Sequence, residues 1–259
     1  MQPLLECKEV SFAYHTVSGE VAALKNISFQ VEDGAFLAVV GPSGCGKSTL
    51  LSILCRLQEP ESGSVFIRGK LLGEHEEIHT GYMPQKDQLF EWRNIYGNIT
   101  LGLEIQHKMT EENQQYAKDL MKEYGLWEFR HVRPSQLSGG MRQRAALIRT
   151  LVLKPELLLL DEPFSALDYQ TRLTVSDDIH RILKKEHKTA ILVTHDLSEA
   201  VSMADQVLVL SGRPAEVVAQ IPIELGIENR TPMKSRNAPG FKNYFNQIWK
   251  ELNQDEENL

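Results

Sequence analysis

The chain has 259 residues, long enough to bury a substantial core, and its 42% hydrophobic and 24% charged content is ordinary for a globular protein. Its 28 basic and 35 acidic residues leave a net charge of -7, which argues against a mainly electrostatic grip on nucleic acid. Three cysteines, Cys7, Cys45 and Cys55, follow no metal-ligand or disulfide-framework spacing, so a reducing setting is the simpler reading.

Residues 5–14 and 21–31 alternate and are separated by turn residues, which predicts antiparallel strands. Residues 35–40 form a compact apolar run ending at Gly41, the pattern of a parallel strand buried on both faces. Helical spacing follows over 48–57, then short strands at 64–68 and 80–83. From about 92 to 124 the texture turns to Glu, Gln, Lys and Asn with sparse, helix-spaced apolar residues, and helical patterning resumes over 139–153. Strands are predicted again at 157–160, 190–193 and 207–210, with a helix over 171–185 between the first two. This alternation predicts a mostly parallel sheet covered by helices, with a helical insertion at about 88–153. Beyond Gly212 the pattern weakens, and one terminal helix is predicted over 241–252 before an acidic end at 255–258. The division expected is a nucleotide-binding unit over 1–215 and an extension over 216–259. No apolar run approaches the roughly 18–20 residues of a membrane-spanning helix, and the N-terminal residues do not resemble a signal peptide. A partner is expected to hold the protein wherever it works at a membrane.

Three segments carry the chemistry. Gly41, Pro42, Ser43, Gly44, Cys45, Gly46, Lys47, Ser48 and Thr49 match the Walker A pattern for a nucleotide triphosphate. The glycines let successive backbone N–H groups face the phosphates, Lys47 reaches the β- and γ-phosphates, and Ser48 offers a hydroxyl to Mg²⁺. Cys45 inside the loop raises the expectation that modifying its thiol blocks nucleotide binding. The second segment, 157–162, ends an apolar strand in Asp161 and Glu162; Asp161 would organise the metal and Glu162 would polarise the attacking water. The third, Leu137 to Arg144 (LSGGMRQR), is a glycine turn opening a helix, suited to touching a phosphate already held by the first. Gln85 and His195 each follow a predicted strand end. Gln85 is placed to sense the metal shell or the water, and His195 to donate toward the γ-phosphate. Tyr14 is a candidate to stack on adenine or simply to pack.

These residues, in this order, resemble the ATP-binding subunits of ABC transporters. Tyr14 resembles the adenine-stacking aromatic, Gln85 the Q-loop, 137–144 the signature, 165–168 the D-loop and His195 the switch histidine. The resemblance implies the P-loop ABC ATPase fold, an α/β architecture with an N-terminal antiparallel part and a helical subdomain. It further implies Mg²⁺-dependent ATP hydrolysis with Glu162, His195, Gln85 and Lys47 in catalytic roles and Ser48, Gln85 and Asp161 at the metal. A head-to-tail pair is implied, in which Ser138, Gly139 and Gly140 of one chain complete the site built by the other. Two transmembrane permease subunits, a solute-binding protein and a place on the cytoplasmic face of the membrane follow from the same resemblance, with no nucleic acid. Residues 85–93, 163–172, 210–214 and 245–252 resemble the nitrate/sulfonate/taurine importer group, which includes pyrimidine- and thiamin-precursor systems. An exporter subunit or a soluble, non-transport ABC ATPase are the alternatives. Leu89, Phe90 and Trp92 are candidates for the wall that receives a permease, or for the core of the helical part.

Overall fold

The computed structural model describes residues 2–17, 19–74 and 80–253; the predicted acidic end at 255–258 lies outside them. Two antiparallel strands, β1 (Leu5–Thr16) and β2 (Gly19–Val31), precede β3 (Phe36–Val40) and the helix α1 (Lys47–Leu54). Then come β4 (Ser62–Ile67), β5 (Lys70–Leu71) and β6 (Thr80–Met83). The helices α2 (Ile95–Ile99), α3 (Leu101–Ile105), α4 (Glu111–Glu123) and α5 (Gly139–Leu151) fill the interval before β7 (Leu157–Asp161). The chain continues through α6 (Tyr169–Lys185), β8 (Thr189–Val193), α7 (Leu197–Met203), β9 (Gln206–Leu210), β10 (Val217–Pro222), α8 (Pro232–Arg236) and α9 (Phe241–Asn253).

The strands form two sheets. One is antiparallel, in the order β2-β1-β4-β5; the other runs β10-β9-β3-β8-β7-β6, parallel except for β10. Every residue of β3, β7 and β8 is buried, because both faces of the larger sheet are covered. The two-residue period of a strand then sorts side chains between two cores. Phe36, Ala38, Val40, Leu158, Leu160, Ala190 and Leu192 join the helical side, whereas Leu37, Val39, Leu157, Leu159, Ile191 and Val193 face α1 and the antiparallel sheet.

The parallel strands place their carboxyl ends side by side. Val40 leads into the phosphate loop, Met83 toward Gln85, Asp161 into Glu162 and Val193 toward His195. In open α/β sheets this edge is where ligands bind.

The segment after 215 is less separate than its sequence suggests. β10 pairs antiparallel with β9, and Ile221, Ile223 and Ile248 enter the larger core. The expected boundary between 215 and 216 therefore falls within one continuous sheet. Arg230 ties this segment to α7, donating from Nη2 to the carbonyls of Val201 and Ala204 at 2.8 Å each. Those are among the carbonyls that the end of a helix leaves without an intrahelical donor. Among the described residues no helix is long and apolar enough to cross a membrane.

Candidate nucleotide site

A cleft of about 670 Å³ opens at the carboxyl edge of the parallel strands, lined by Tyr14, Ser43, Gly44, Gly46, Lys47, Ser48, Thr49, Gln85, Glu162 and His195. The loop between β3 and α1 owes its path to two glycines. Gly44 adopts φ 74° and Gly46 φ 128°, and a Cβ on Gly46 would sit 2.9 Å from the carbonyl oxygen of Ala23. No larger residue suits the second position, which caps α1 and aims its amides into the cleft. Lys47 is buried, and its Nζ donates to the carbonyls of Gly41 and Pro42, each at 2.8 Å. Its charge is thereby held over the loop rather than free in solvent.

Cys45 belongs to the loop but is shielded from solvent. Its side chain is 1% exposed and turned beneath the loop, where a Cβ added to Gly41 would lie 2.9 Å from the sulfur. The thiol packs under the loop, with Nζ of Lys47 3.9 Å from the sulfur, and is shielded from solvent. Iodoacetamide should leave Cys45 unmodified in native buffer and modify it fully in denaturant, as read by peptide mass spectrometry. Rapid native labelling of Cys45 with parallel loss of ATP binding would contradict this.

Asp161 ends β7 and is 8% exposed. Burial raises its carboxyl above the usual carboxylate range, while hydrogen bonds from Tyr82 and Ser48 pull the other way. Tyr82 donates to Oδ2 at 3.1 Å and Ser48 to Oδ1 at 3.4 Å. A nearly buried carboxylate facing a serine hydroxyl at the mouth of a phosphate loop is a hard-oxygen pair, the donor chemistry that Mg²⁺ prefers. The residues present fit that ion.

Glu162 is the next residue, with φ 44°, a left-handed conformation that costs a non-glycine residue about 1 kcal/mol. Its backbone N–H is bound to the carbonyl of Val193 at 2.9 Å, which fixes it against the end of β8. Such an outlier points toward function. The carboxylate Oε2 meets Nδ1 of His195 at 3.1 Å and accepts from Nε2 of Gln85 at 3.2 Å. Gln85 also donates to Ser165 at 3.3 Å. Two side chains from two other strand ends therefore converge on one oxygen of Glu162. Gln85, expected at the metal as well, makes its hydrogen bonds here rather than to Asp161.

At the other end of the cleft, the ring of Tyr14 stands edge-on to Phe12, centroids 5.0 Å apart, and its hydroxyl bonds Thr49 at 2.9 Å. It both packs and lines the cavity. Ala23 and Arg213 line the same cleft and were not anticipated. Arg213 lies in the loop that leaves β9, another parallel strand beside β3, and that position was the available signal.

Residues 24–165 match the ABC transporter family. The chain belongs to the ABC transporter family. It is 45% identical over 251 residues to the uncharacterized ABC transporter ATP-binding protein YtlC of Bacillus subtilis, covering 96% of this chain and 95% of that one. It is 37% identical to the aliphatic sulfonates import ATP-binding protein SsuB of Bacillus cereus, over 90% of each chain. The nitrate import ATP-binding protein NrtD of a Synechocystis species is 35% identical over 94% of this chain and 93% of its own. The solved dimer of the ATP-binding cassette MJ0796 in a post-hydrolysis state with ADP and Pi superposes with a TM-score of 0.72 and 27% identity, covering 85% of this chain and 99% of that one. The fold is accordingly the P-loop ABC ATPase fold, and the chain is an ATP-binding ABC ATPase.

The ABC signature residues stand apart from the cleft. Ser138 caps α5, accepting from the N–H of Met141 at 3.3 Å. Gly139 and Gly140 leave no room for side chains: a Cβ on Gly139 would lie 3.0 Å from Leu167, and one on Gly140 2.9 Å from Val175. None of the three lines the cavity that holds Lys47 and Glu162, and Gly139 borders a separate hollow with Asp87, Arg142 and Leu167. The chain therefore carries both groups of residues without joining them.

Proposed function

We propose that this protein hydrolyses ATP to drive an ABC importer for a small solute of the nitrate or sulfonate kind, working as a head-to-tail pair of ATPase subunits beneath two permease subunits on the cytoplasmic side of a membrane. Nitrate, a sulfonate, taurine or a pyrimidine or thiamin precursor fits the subgroup resemblance. The observation that carries the paired arrangement is the separation of Ser138, Gly139 and Gly140 from the cleft, since a second copy would supply what the first lacks. The relatives named for sulfonate and nitrate import support the importer reading over an exporter or a soluble ATPase.

In this mechanism the amides of the loop and the Nζ of Lys47 bind the β- and γ-phosphates, and Tyr14 receives the adenine ring. Ser48 and Asp161 would hold Mg²⁺, which when bound neutralises charge on the phosphate oxygens. Glu162 orients the attacking water and accepts its proton. His195 and Gln85 keep the carboxylate of Glu162 aimed through the two contacts on Oε2, and His195 offers an N–H toward the transferring phosphoryl group. The partner's Ser138 and the amide-rich start of its α5 would close over the γ-phosphate. Because that phosphate bridges two chains, hydrolysis removes the link, and the pair alternates between closed and open. Purified protein reconstituted with its permease and solute-binding partners should import labelled nitrate or an alkanesulfonate only with ATP and magnesium. Transport of neither anion nor of the heterocyclic precursors would refute the importer reading.

The candidate permease wall divides into a buried and an exposed part. Leu89 is 8% exposed and belongs to the core of the helical part, while Trp92 is 74% exposed and rests on Phe90 with ring centroids 4.7 Å apart. A large apolar surface at that exposure suits a protein partner. Trp92→Ala should leave the thermal midpoint and basal ATPase within experimental error while cutting co-purification of the permease at least about tenfold, equal to about 1.4 kcal/mol. Unchanged co-purification would rule Trp92 out as a docking residue.

A further inference from the structure

His195 has to be held in place by something other than its own ring, which is 61% exposed and reaches Glu162. Its two neighbours are held firmly. The hydroxyl of Thr194 donates to Oε2 of Glu199 at 2.6 Å, and Oγ1 of Thr194 in turn accepts from the N–H of Asp196 at 3.0 Å. Oδ1 of Asp196 caps α7, accepting from the N–H groups of Ser198 and Glu199 at 2.8 and 3.3 Å. Glu199 is 3% exposed, and a carboxylate so buried needs charged or hydrogen-bonding partners.

Those partners come from a different loop. Arg172, in the first turn of α6, places Nη1 3.4 Å from Oδ2 of Asp196 and Nε 3.7 Å from Oε1 of Glu199. Its Nη2 donates to the carbonyl of Leu167 at 3.2 Å. Leu167 lies beside Asp168, which caps α6 by accepting from the N–H of Thr171 at 3.1 Å. One planar guanidinium thus ties the loop at 165–168 to Asp196 directly and, through Glu199, to Thr194, the residues on either side of His195. A lysine could satisfy one of these carboxylates but has no fork with which to hold the carbonyl as well.

We propose that Arg172 is a positioning residue for hydrolysis, holding the Thr194–Asp196 turn against the loop at 165–168 so that His195 keeps its place on Glu162. The inference rests on the ATPase reading of the cleft. Arg172 is not among the residues lining the cleft; it acts through Asp196 and Glu199. Loosening the bridge lets His195 shift relative to Glu162, and a misplacement of about an ångström at a reacting centre is enough to cost one to two orders of magnitude in rate.

The test is a double-mutant cycle on the full chain, with Arg172→Gln, Asp196→Asn and the pair together. Asparagine keeps the oxygen that caps α7 but removes the charge that Arg172 meets. The expected result is a kcat lowered about tenfold in each single variant with KM for ATP within about twofold of wild type, and a double variant no slower than the worse single. Arg172→Lys should recover part of the loss. Thermal midpoints are measured alongside. The proposal is overturned if kcat is unchanged in the singles, if the two losses multiply, or if kcat falls only in step with the thermal midpoint across all four variants. Lack of ATPase activity in the wild type would instead remove the reading of the cleft itself.

Discussion

Glu162→Gln should lower kcat by at least about 100-fold while leaving ATP affinity unchanged, and should make an ATP-bound pair of chains persist. The substitution is almost isosteric. A glutamine tolerates the left-handed backbone at φ 44° no worse than glutamate, and the backbone bond to Val193 does not involve the side chain. The amide oxygen can still accept from Gln85 and His195 in the places where Oε2 now accepts. What disappears is the ability to take a proton from water, so the loss falls on turnover and spares binding. Steady-state hydrolysis and size-exclusion chromatography with and without ATP and magnesium would check both halves. Turnover comparable with wild type would remove Glu162 from the role of base. A variant that stays monomeric at saturating ATP and magnesium would remove the paired site.

Lys47→Ala should behave in the opposite way, weakening ATP binding about 100-fold, which corresponds to about 2.7 kcal/mol. Charge-assisted bonds from a nearly buried ammonium to phosphate are worth about 1.5–3 kcal/mol. Lys47 is also 7% exposed and ties its Nζ to the carbonyls of Gly41 and Pro42, so its loss loosens the loop as well as removing the charge. Lys47→Arg should rescue little, because the wider guanidinium must fit a position shaped for a compact nitrogen. Titration calorimetry with ATP separates this variant from Glu162→Gln, and equal affinity in wild type and Lys47→Ala would overturn the assignment.

Much of this arrangement is legible in the sequence. The continuous apolar runs at 35–40, 157–160 and 190–193 fit doubly covered parallel strands, and the residues after them include Gly41, Glu162 and His195. What escaped did so for physical reasons. β10 exposes alternate residues and ends in Pro222, so it has no apolar signature of its own; its pairing with β9 makes it a strand. Leu89, Phe90 and Trp92 look alike in sequence, and the packing of the helical part buries the first and leaves the last in solvent. The thiol of Cys45 shows its chemistry in the sequence but not its access, which the turn of the loop decides. Arg213 lies far from the loop in sequence, and β9 beside β3 brings the two together. The network around Arg172 joins residues 167, 172, 196 and 199, a grouping that spacing along the chain does not disclose.

The antiparallel strand at 217–222 also bears on how this cassette can be shortened. It covers the outer rim of β9, and the helix beyond it seats Ile248 against the same interior. Cut away, a row of peptide groups would lie open to any passing strand, with oily sockets beside it where Ile221, Ile223 and Ile248 had been. The tail that reads as an appendage works as a seal, and a trimmed version would trade a quiet flank for a sticky one.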